Sequence, residues 1–265
     1  MKFKFLLILF FSFSLQTSHA SEDCMSNLSI FAEYYKVKNY DSAYEPWMKV
    51  RQECPKINAA IYSYGKRMLE HFIKNSDGDQ KLAYQNDLIK LYDEWLVNFP
   101  IVKGRNITGE IMSNKAQALL DNKLASKIEI FNTFDMAYSS DRASFDDPKP
   151  LYSYFKTYFE LYKENADEVT LSKVFDKYED ISERFEEVID GYAKQLAVIL
   201  KKEESGQPLS SREKSLKRAY GINSNASVTY LNNLNAIIAK ESTCENLIPL
   251  YRKNLEENKT NAIWL

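Results

Sequence analysis

The strongest constraint on what this chain can fold into is a spacing. Between Cys24 and Pro55 stand Ile30, Tyr34, Ala43, Trp47 and Pro55, at intervals that suit a unit of two short helices. Ile30, Phe31 and Tyr34 share one face of a first helix predicted over 26–38. Asn39-Tyr40-Asp41 reads as a turn, with Asp41 able to cap a second helix over 42–54. That second helix shows Ala43, Trp47 and Val50 on one face, with Pro46 tolerated in its first turn. A small residue at Ala43 suits the closest approach of two helices, Trp47 fills the space beside it, and Pro55 ends the unit.

The spacing starts again. Ile61, Tyr64, Gly65 and Met68 repeat the first-helix pattern, and Leu88, Tyr92 and Trp95 repeat the second, closed by Pro100. This second unit is longer by an insertion that "IKNSDGDQKLA" supplies, read as a longer inter-helix segment. In both units the pattern resembles a tetratricopeptide repeat. The first departs from it twice: Phe31 stands where a small residue is expected and Asn27 where Trp is expected.

The remainder reads as helix with less regular spacing. Lys103 to Asn122 and Ala125 to Tyr138 form a third predicted pair. "SSDRASFDDPKP" is the longest turn-rich stretch and suggests a boundary that splits helical repeats 21–140 from helical repeats 141–265. Leu151 to Asn165 carries Tyr152, Tyr154, Phe155, Tyr158, Phe159 and Tyr162, a stripe expected in a core between stacked helices. Leu171, Val174, Tyr178, Ile181, Phe185 and Val188 recur at steps of three or four, a long packing seam. Gly206 and Pro208 stop that helix, and Ser210-x-x-Glu213 and Ser242-x-x-Glu245 have the form of capping boxes. Gly and Pro are scarce, at seven each, which suits this all-α reading better than a many-turned β-fold.

The first twenty residues, "MKFKFLLILFFSFSLQTSHA", have a basic start, an apolar run and a small-residue exit. They read as a secretory signal peptide cut after Ala20, since the apolar run is too short for a membrane anchor. A lipid-attachment signal at Cys24 is the other alternative, and the charged "SED" before it argues against that. Export places the chain in the periplasm or cell envelope, or outside the cell. Without Lys2 and Lys4, 33 basic residues face 37 acidic ones, a net of −4, and no basic stripe invites nucleic acid. Asn27, Asn106, Asn225 and Asn258 fit the glycosylation pattern. The Lys/Asn/Tyr/Phe bias and short Lys-led leader look bacterial, which makes that pattern coincidental.

Three cysteines are present. Cys24 and Cys54 flank the first predicted hairpin, whose two ends lie level, so an oxidising compartment favours a disulfide between them; two free thiols are the alternative. Cys244 is then left over, expected buried near a helix start. After the leader, His71 is the single histidine, with no second ligand at metal spacing. Nucleophile-elbow, phosphate-loop and zincin motifs are missing, and the adjacent pairs Glu186-Glu187 and Glu203-Glu204 point apart on a helix.

The chain resembles tetratricopeptide-repeat-like proteins of the cell envelope of Bacteroidota. The resemblance rests on "NYDSAYEPWMKVRQECPK", "YSYGKRML", "LIKLYDEWLVNFP", "DDPKPLYSYFKTYFELY" and "CENLIPLYRKNLEENKTNAIWL". It implies antiparallel helix pairs stacked in a right-handed solenoid, irregular after the second repeat, with no enzymatic activity and no cofactor. It also implies a protein that continues past Leu265. The tail agrees, since aligning Pro249 with Pro46 sets Trp264 at the first-helix position of Ile61. A native terminus is the other reading.

Repeat geometry then points to an interaction scaffold whose groove takes a peptide or helix of a protein partner, with Tyr35, Lys36, Tyr62 and Lys66 lining it. The alternative is a binding protein for a small glycan or lipid at the aromatic 152–162 region. An envelope enzyme with a glutamic acid of raised pKa is the third.

Overall fold

The computed structural model describes residues 16–165 and 169–257. The apolar core of the expected leader and the tail "NKTNAIWL" lie outside the described residues, as does the start of the seam helix at Glu168. Among the described residues are ten α-helices and one two-stranded ribbon, divided into two compact units at Asn106/Ile107. No described helix is long and apolar enough to cross a membrane.

Unit 1 holds α1 (Gln16–Lys36), α2 (Tyr40–Glu53), α3 (Ala60–Lys74) and α4 (Gly78–Asn98). Each helix packs against its successor in sequence. α1 begins ten residues before its expected start at Ser26 and takes in residues 16–20, assigned by the sequence to the leader. The turn after it needs Lys38 in the left-handed region (φ 59°). Asn39, not Asp41, is the N-cap: its side chain accepts from the Ser42 amide at 3.3 Å. Because α2 starts at Tyr40, Pro46 lies in its second turn rather than its first.

Trp47 is fully buried, and its indole N–H donates to the Ile61 carbonyl at 2.8 Å. Gly65 is small for a visible reason: a Cβ there would meet the Trp47 ring at 2.5 Å. This contact joins the first helix pair to the second. Ala43 and Val50 are buried beside Trp47, as the spacing predicts. On α1 the register differs by one place. Phe31 is fully buried, against Tyr64 at 6.1 Å, whereas Ile30 and Tyr34 are 42% and 39% exposed. The bulky side chain at Phe31 therefore takes over the core position that the repeat pattern gives to its neighbour.

The inserted "IKNSDGDQKLA" is not a long loop. Only residues 75–77 separate α3 from α4, and the extra residues lengthen α4 to 21. Gln80, Lys81, Leu82 and Ala83 are good helix formers, so the insertion extends the helix. After α4, β1 (Ile101–Val102) and β2 (Arg105–Asn106) pair antiparallel. Lys103 and Gly104 turn the corner at φ 52° and 78°, as a tight hairpin requires. This ribbon replaces the first turns of the helix expected from Lys103.

Unit 2 holds α5 (Thr108–Asn122), α6 (Lys127–Ser140), α7 (Pro148–Glu164), α8 (Leu171–Glu204), α9 (Ser211–Ile238) and α10 (Cys244–Glu257). α5 pairs with α6 and α8 with α9, while α7 touches both pairs. The turn-rich "SSDRASFDDPKP" is inside this unit, not at its edge. Phe145 within it is fully buried, and a short 3-10 turn, Arg142–Ser144, packs on α5. The side chain of Asp147 accepts from the Lys149 amide and starts α7.

The seam of α8 packs as its spacing predicts, with Val174, Ile181 and Phe185 fully buried. Ser210 and Glu213 form the expected capping box of α9, and Ser126 with Glu129 form another on α6. At α10 the expected box is absent: the Thr243 hydroxyl accepts from the Asn246 amide, while Ser242 donates back to Ile238. Cys244 is exposed at the start of α10, a correction to its expected burial.

Candidate partner-binding face and buried-arginine cavity

The expected site residues all fall in unit 1 but do not form one surface. Tyr35 of α1 is half-buried and stacked flat on Tyr64 of α3, with ring centroids 4.0 Å apart and planes 2° apart. Exposed Arg67 of α3 donates to the Tyr35 hydroxyl at 3.3 Å, and that hydrogen bond raises its pKa. Tyr40 packs at 5.7 Å from Tyr35 and edge-on to His71. Lys36 is exposed and paired to Glu33 at 2.6 Å, chiefly a hydrogen bond, which raises its pKa. Lys66 pairs with Glu70 at 3.9 Å. Tyr35, Tyr64 and Arg67 thus form one aromatic and cationic patch spanning α1 and α3. Ile30 and Tyr34 are exposed on α1, and Val37 is exposed in the turn just after it.

Tyr62 is corrected. It is fully buried, donates to the Pro55 carbonyl at 3.0 Å and accepts from the Asn98 amide at 2.7 Å. Its ring lies 6.0 Å from that of Trp95. It is one place out of phase with the exposed face of α3 and serves the core. Burial, its main influence, pushes its phenol pKa up.

Cys24 and Cys54 form a disulfide, with Cα atoms 6.2 Å apart. Cys24 is inside α1 and Cys54 is the C-cap of α2, so the bond ties one end of the first hairpin.

Beside Cys54 the sequence reading missed a charged core residue. Arg51 is only 5% exposed. Its guanidinium lies over the Trp47 ring at 5.0 Å. Nε donates to Glu94 at 2.6 Å and Nη1 to Asp87 at 2.9 Å. Nη2 is buried and has no acceptor. These three groups line an open cleft of about 260 Å³ together with Met48, Gln52, Pro55, Lys90 and Asn98. The signal for Arg51 was its phase, four residues after Trp47 on the buried side of α2. Its partners on α4 are 36 and 43 residues away and leave no local trace.

In unit 2 the aromatic stripe of α7 is spent on packing. Tyr154 and Phe155 are fully buried, and Tyr152, Phe159 and Tyr162 pack against the same cluster. Tyr154 donates to Asp135, and Lys177 donates to both, at 2.7 Å and 3.1 Å. Tyr138 donates to Asp180 at 2.8 Å and accepts from Arg142 at 2.9 Å. Burial first, and then the neighbouring carboxylates, push both phenols far above their ordinary range. The shifted glutamates Glu129, Glu187 and Glu213 all move downward, each led by a hydrogen bond. Among the described residues no cluster of His, Cys, Asp and Glu could hold a metal.

No known family, no curated protein and no solved structure matches the chain. The resemblance read from its motifs rests on those residues alone.

Proposed function

We propose that the protein is a non-enzymatic interaction scaffold of the bacterial envelope, and that the face shared by α1 and α3 receives a peptide or helix of a protein partner. The observation that carries this reading is the Tyr35–Tyr64 stack with Arg67 against it. Aromatic rings and Arg are the side chains that anchor protein interfaces most often. Here they occupy corresponding helices of two successive pairs, and a stack of pairs in tetratricopeptide fashion turns such helices toward one concave surface. The disulfide supports export, because such bonds persist in oxidising compartments. The signal-peptide reading of residues 1–20 places the mature start at Ser21, inside α1.

The test is crosslinking in the native envelope. Tyr35→Ala with Arg67→Ala should abolish capture of the partner while leaving the melting of unit 1 nearly unchanged. Tyr62 is not a suitable probe, since its removal would damage the core. A double variant that keeps every partner sinks this assignment. The packed α7 stripe gives the small-ligand reading no observation to stand on.

A further inference from the structure

We propose that the outer face of α8 is a self-association surface, on which a second copy of this chain lays its own α8 antiparallel across a two-fold axis near residue 192. The inference does not rest on the α1–α3 face, since α8 belongs to unit 2.

α8 has two distinct sides. Val174, Ile181, Phe185, Val188 and Ile199 turn one side into the protein. On the opposite side Glu179, Glu183, Glu186, Asp190, Lys194 and Lys201 are all exposed. They recur at steps of three, four or seven and so form one stripe along the helix.

Charge is segregated along this stripe. From residue 176 to 190 seven acids meet two bases, Lys177 and Arg184, a net of −5. The Arg142 guanidinium, shared by Asp180, Glu183 and Glu187, reduces that to −4. The arm that α8 and α9 form beyond it, residues 194–218, has seven bases against three acids, a net of +4.

That pattern decides the orientation. Parallel copies would set acid on acid and base on base. Antiparallel copies set the acidic half of each α8 on the basic half of the other. Spacing then gives the register. Asp190 and Lys194 each lie two residues from position 192, and Glu183 and Lys201 each lie nine. A two-fold axis at 192 brings Asp190 of each copy to Lys194 of the other, and Glu183 to Lys201, four ion pairs in all. Asp190 and Lys194 already pair within one chain at 2.5 Å, so the two pairs meet as a ring of alternating charge. Glu183 is 71% exposed, with Arg142 3.6 Å away, and Lys201 has no ion-pair partner among the described residues. Both can reach across.

The crossing point is also the flattest part of the face. Gly191 and Ala193 flank position 192, and both are exposed. A Cβ on Gly191 would meet nothing within 4 Å, so no contact within the chain explains a residue that weakens a helix relative to Ala. A second helix crossing there does explain it, since small residues let two backbones approach closely. Val198, 71% exposed beside Lys201, offers apolar contact to the partner.

The test is sedimentation velocity of the full chain, from about 10 µM to about 1 mM, in about 0.05 M and about 1 M salt. Exposed ion pairs are individually weak, and the screening length falls to about 3 Å at 1 M salt. A dimer with a dissociation constant on the order of 0.1 mM is therefore expected in low salt, dissociating in high salt. Lys194→Glu with Lys201→Glu makes all four positions acidic and should give a monomer. Asp190→Lys with Glu183→Lys makes them all basic and should do the same. An equimolar mixture of the two double variants should recover a dimer, because every pair is then of opposite charge. A wild type that stays monomeric at the highest concentration in low salt overturns the proposal. So does a double variant that still dimerises, or a mixture that does not. Melting curves check that each variant folds. If the variant at Asp190 and Glu183 melts early, the Lys194→Glu, Lys201→Glu variant decides, by losing the dimer or keeping it.

Discussion

In unit 1 four helices of 14 to 21 residues are tied by a disulfide, by an indole against a glycine and by a buried arginine shared between α2 and α4. In unit 2 helices of up to 34 residues close around one aromatic cluster, and the polar tips of that cluster are tied by Asp135, Lys177, Asp180 and Arg142. The difference is one of means. Unit 1 has a buried core of its own, with Phe31, Trp47, Ile61, Met68, Leu69 and Leu91 fully buried, and adds a few discrete locks to it. Unit 2 has α7 packed on both of its helix pairs and relies on continuous packing. Discrete locks can be opened singly, and each should fail in its own unit.

The largest effect is expected at Trp47. Trp47→Ala removes a fully buried ring and should cost about 3–5 kcal/mol, read by urea unfolding. Gly65→Ala should act on the same contact from the other side, costing about 1–3 kcal/mol by overpacking. If Gly65→Ala proves neutral, the two helix pairs do not meet through this contact.

The staple comes next. Replacing Cys24 and Cys54 with Ser opens a link spanning 30 residues, expected to cost about 3–4 kcal/mol. The loss should appear in the transition that follows Trp47 and Trp95, and reductant should reproduce it in the wild type. A transition that ignores reductant would contradict the role given to the bond.

In unit 2, Tyr154→Phe keeps the ring but strips the hydroxyl from Asp135 and Lys177. Asp135 and Lys177 keep each other as partners, so the expected cost is about 0.5–1.5 kcal/mol, the net worth of a hydrogen bond. Hydrogen exchange should locate this loss in α6, α7 and α8 and leave unit 1 unchanged.

The smallest effect is electrostatic. Hydrogen bonds from Lys202, then from Ser210, lower the Glu213 pKa from 4.5 to about 2. A folded value below the unfolded one stabilises at high pH. The contribution is complete above about pH 4.5 and drains away as the pH falls toward about 2. Amide exchange at the start of α9 should therefore rise over that window, and Glu213→Gln should flatten the response.

How much could be read from the sequence differs between the units for the same physical reason. Trp47, Ala43, Gly65, Leu88 and Tyr92 are local signals, set by helix period, and the spacing alone places them in the core. The α8 seam and the Ser210–Glu213 box are equally local. What escaped is non-local or hinges on one residue. Phe31 and Tyr62 lie one position from their expected roles, and a single step on a helix turns a groove residue into a core residue. The insertion before α4 carries turn-forming Asn-Ser-Asp-Gly, yet all but three of the residues between Ile73 and Ala83 are helical, because Gln-Lys-Leu-Ala can extend the helix. Arg51 depends on carboxylates of another helix. The network around Tyr154 joins α6, α7 and α8, which no spacing reveals.

The two units are stabilised separately, unit 1 by a core reinforced with discrete locks and unit 2 by its aromatic cluster. Hydrogen-exchange mass spectrometry of the intact chain, with and without reductant, tests it most directly. The account predicts that reductant raises exchange in α1 and α2, and less in α3 and α4, while α5 to α9 keep their protection. Equal loss of protection in both units, or none in either, would contradict it.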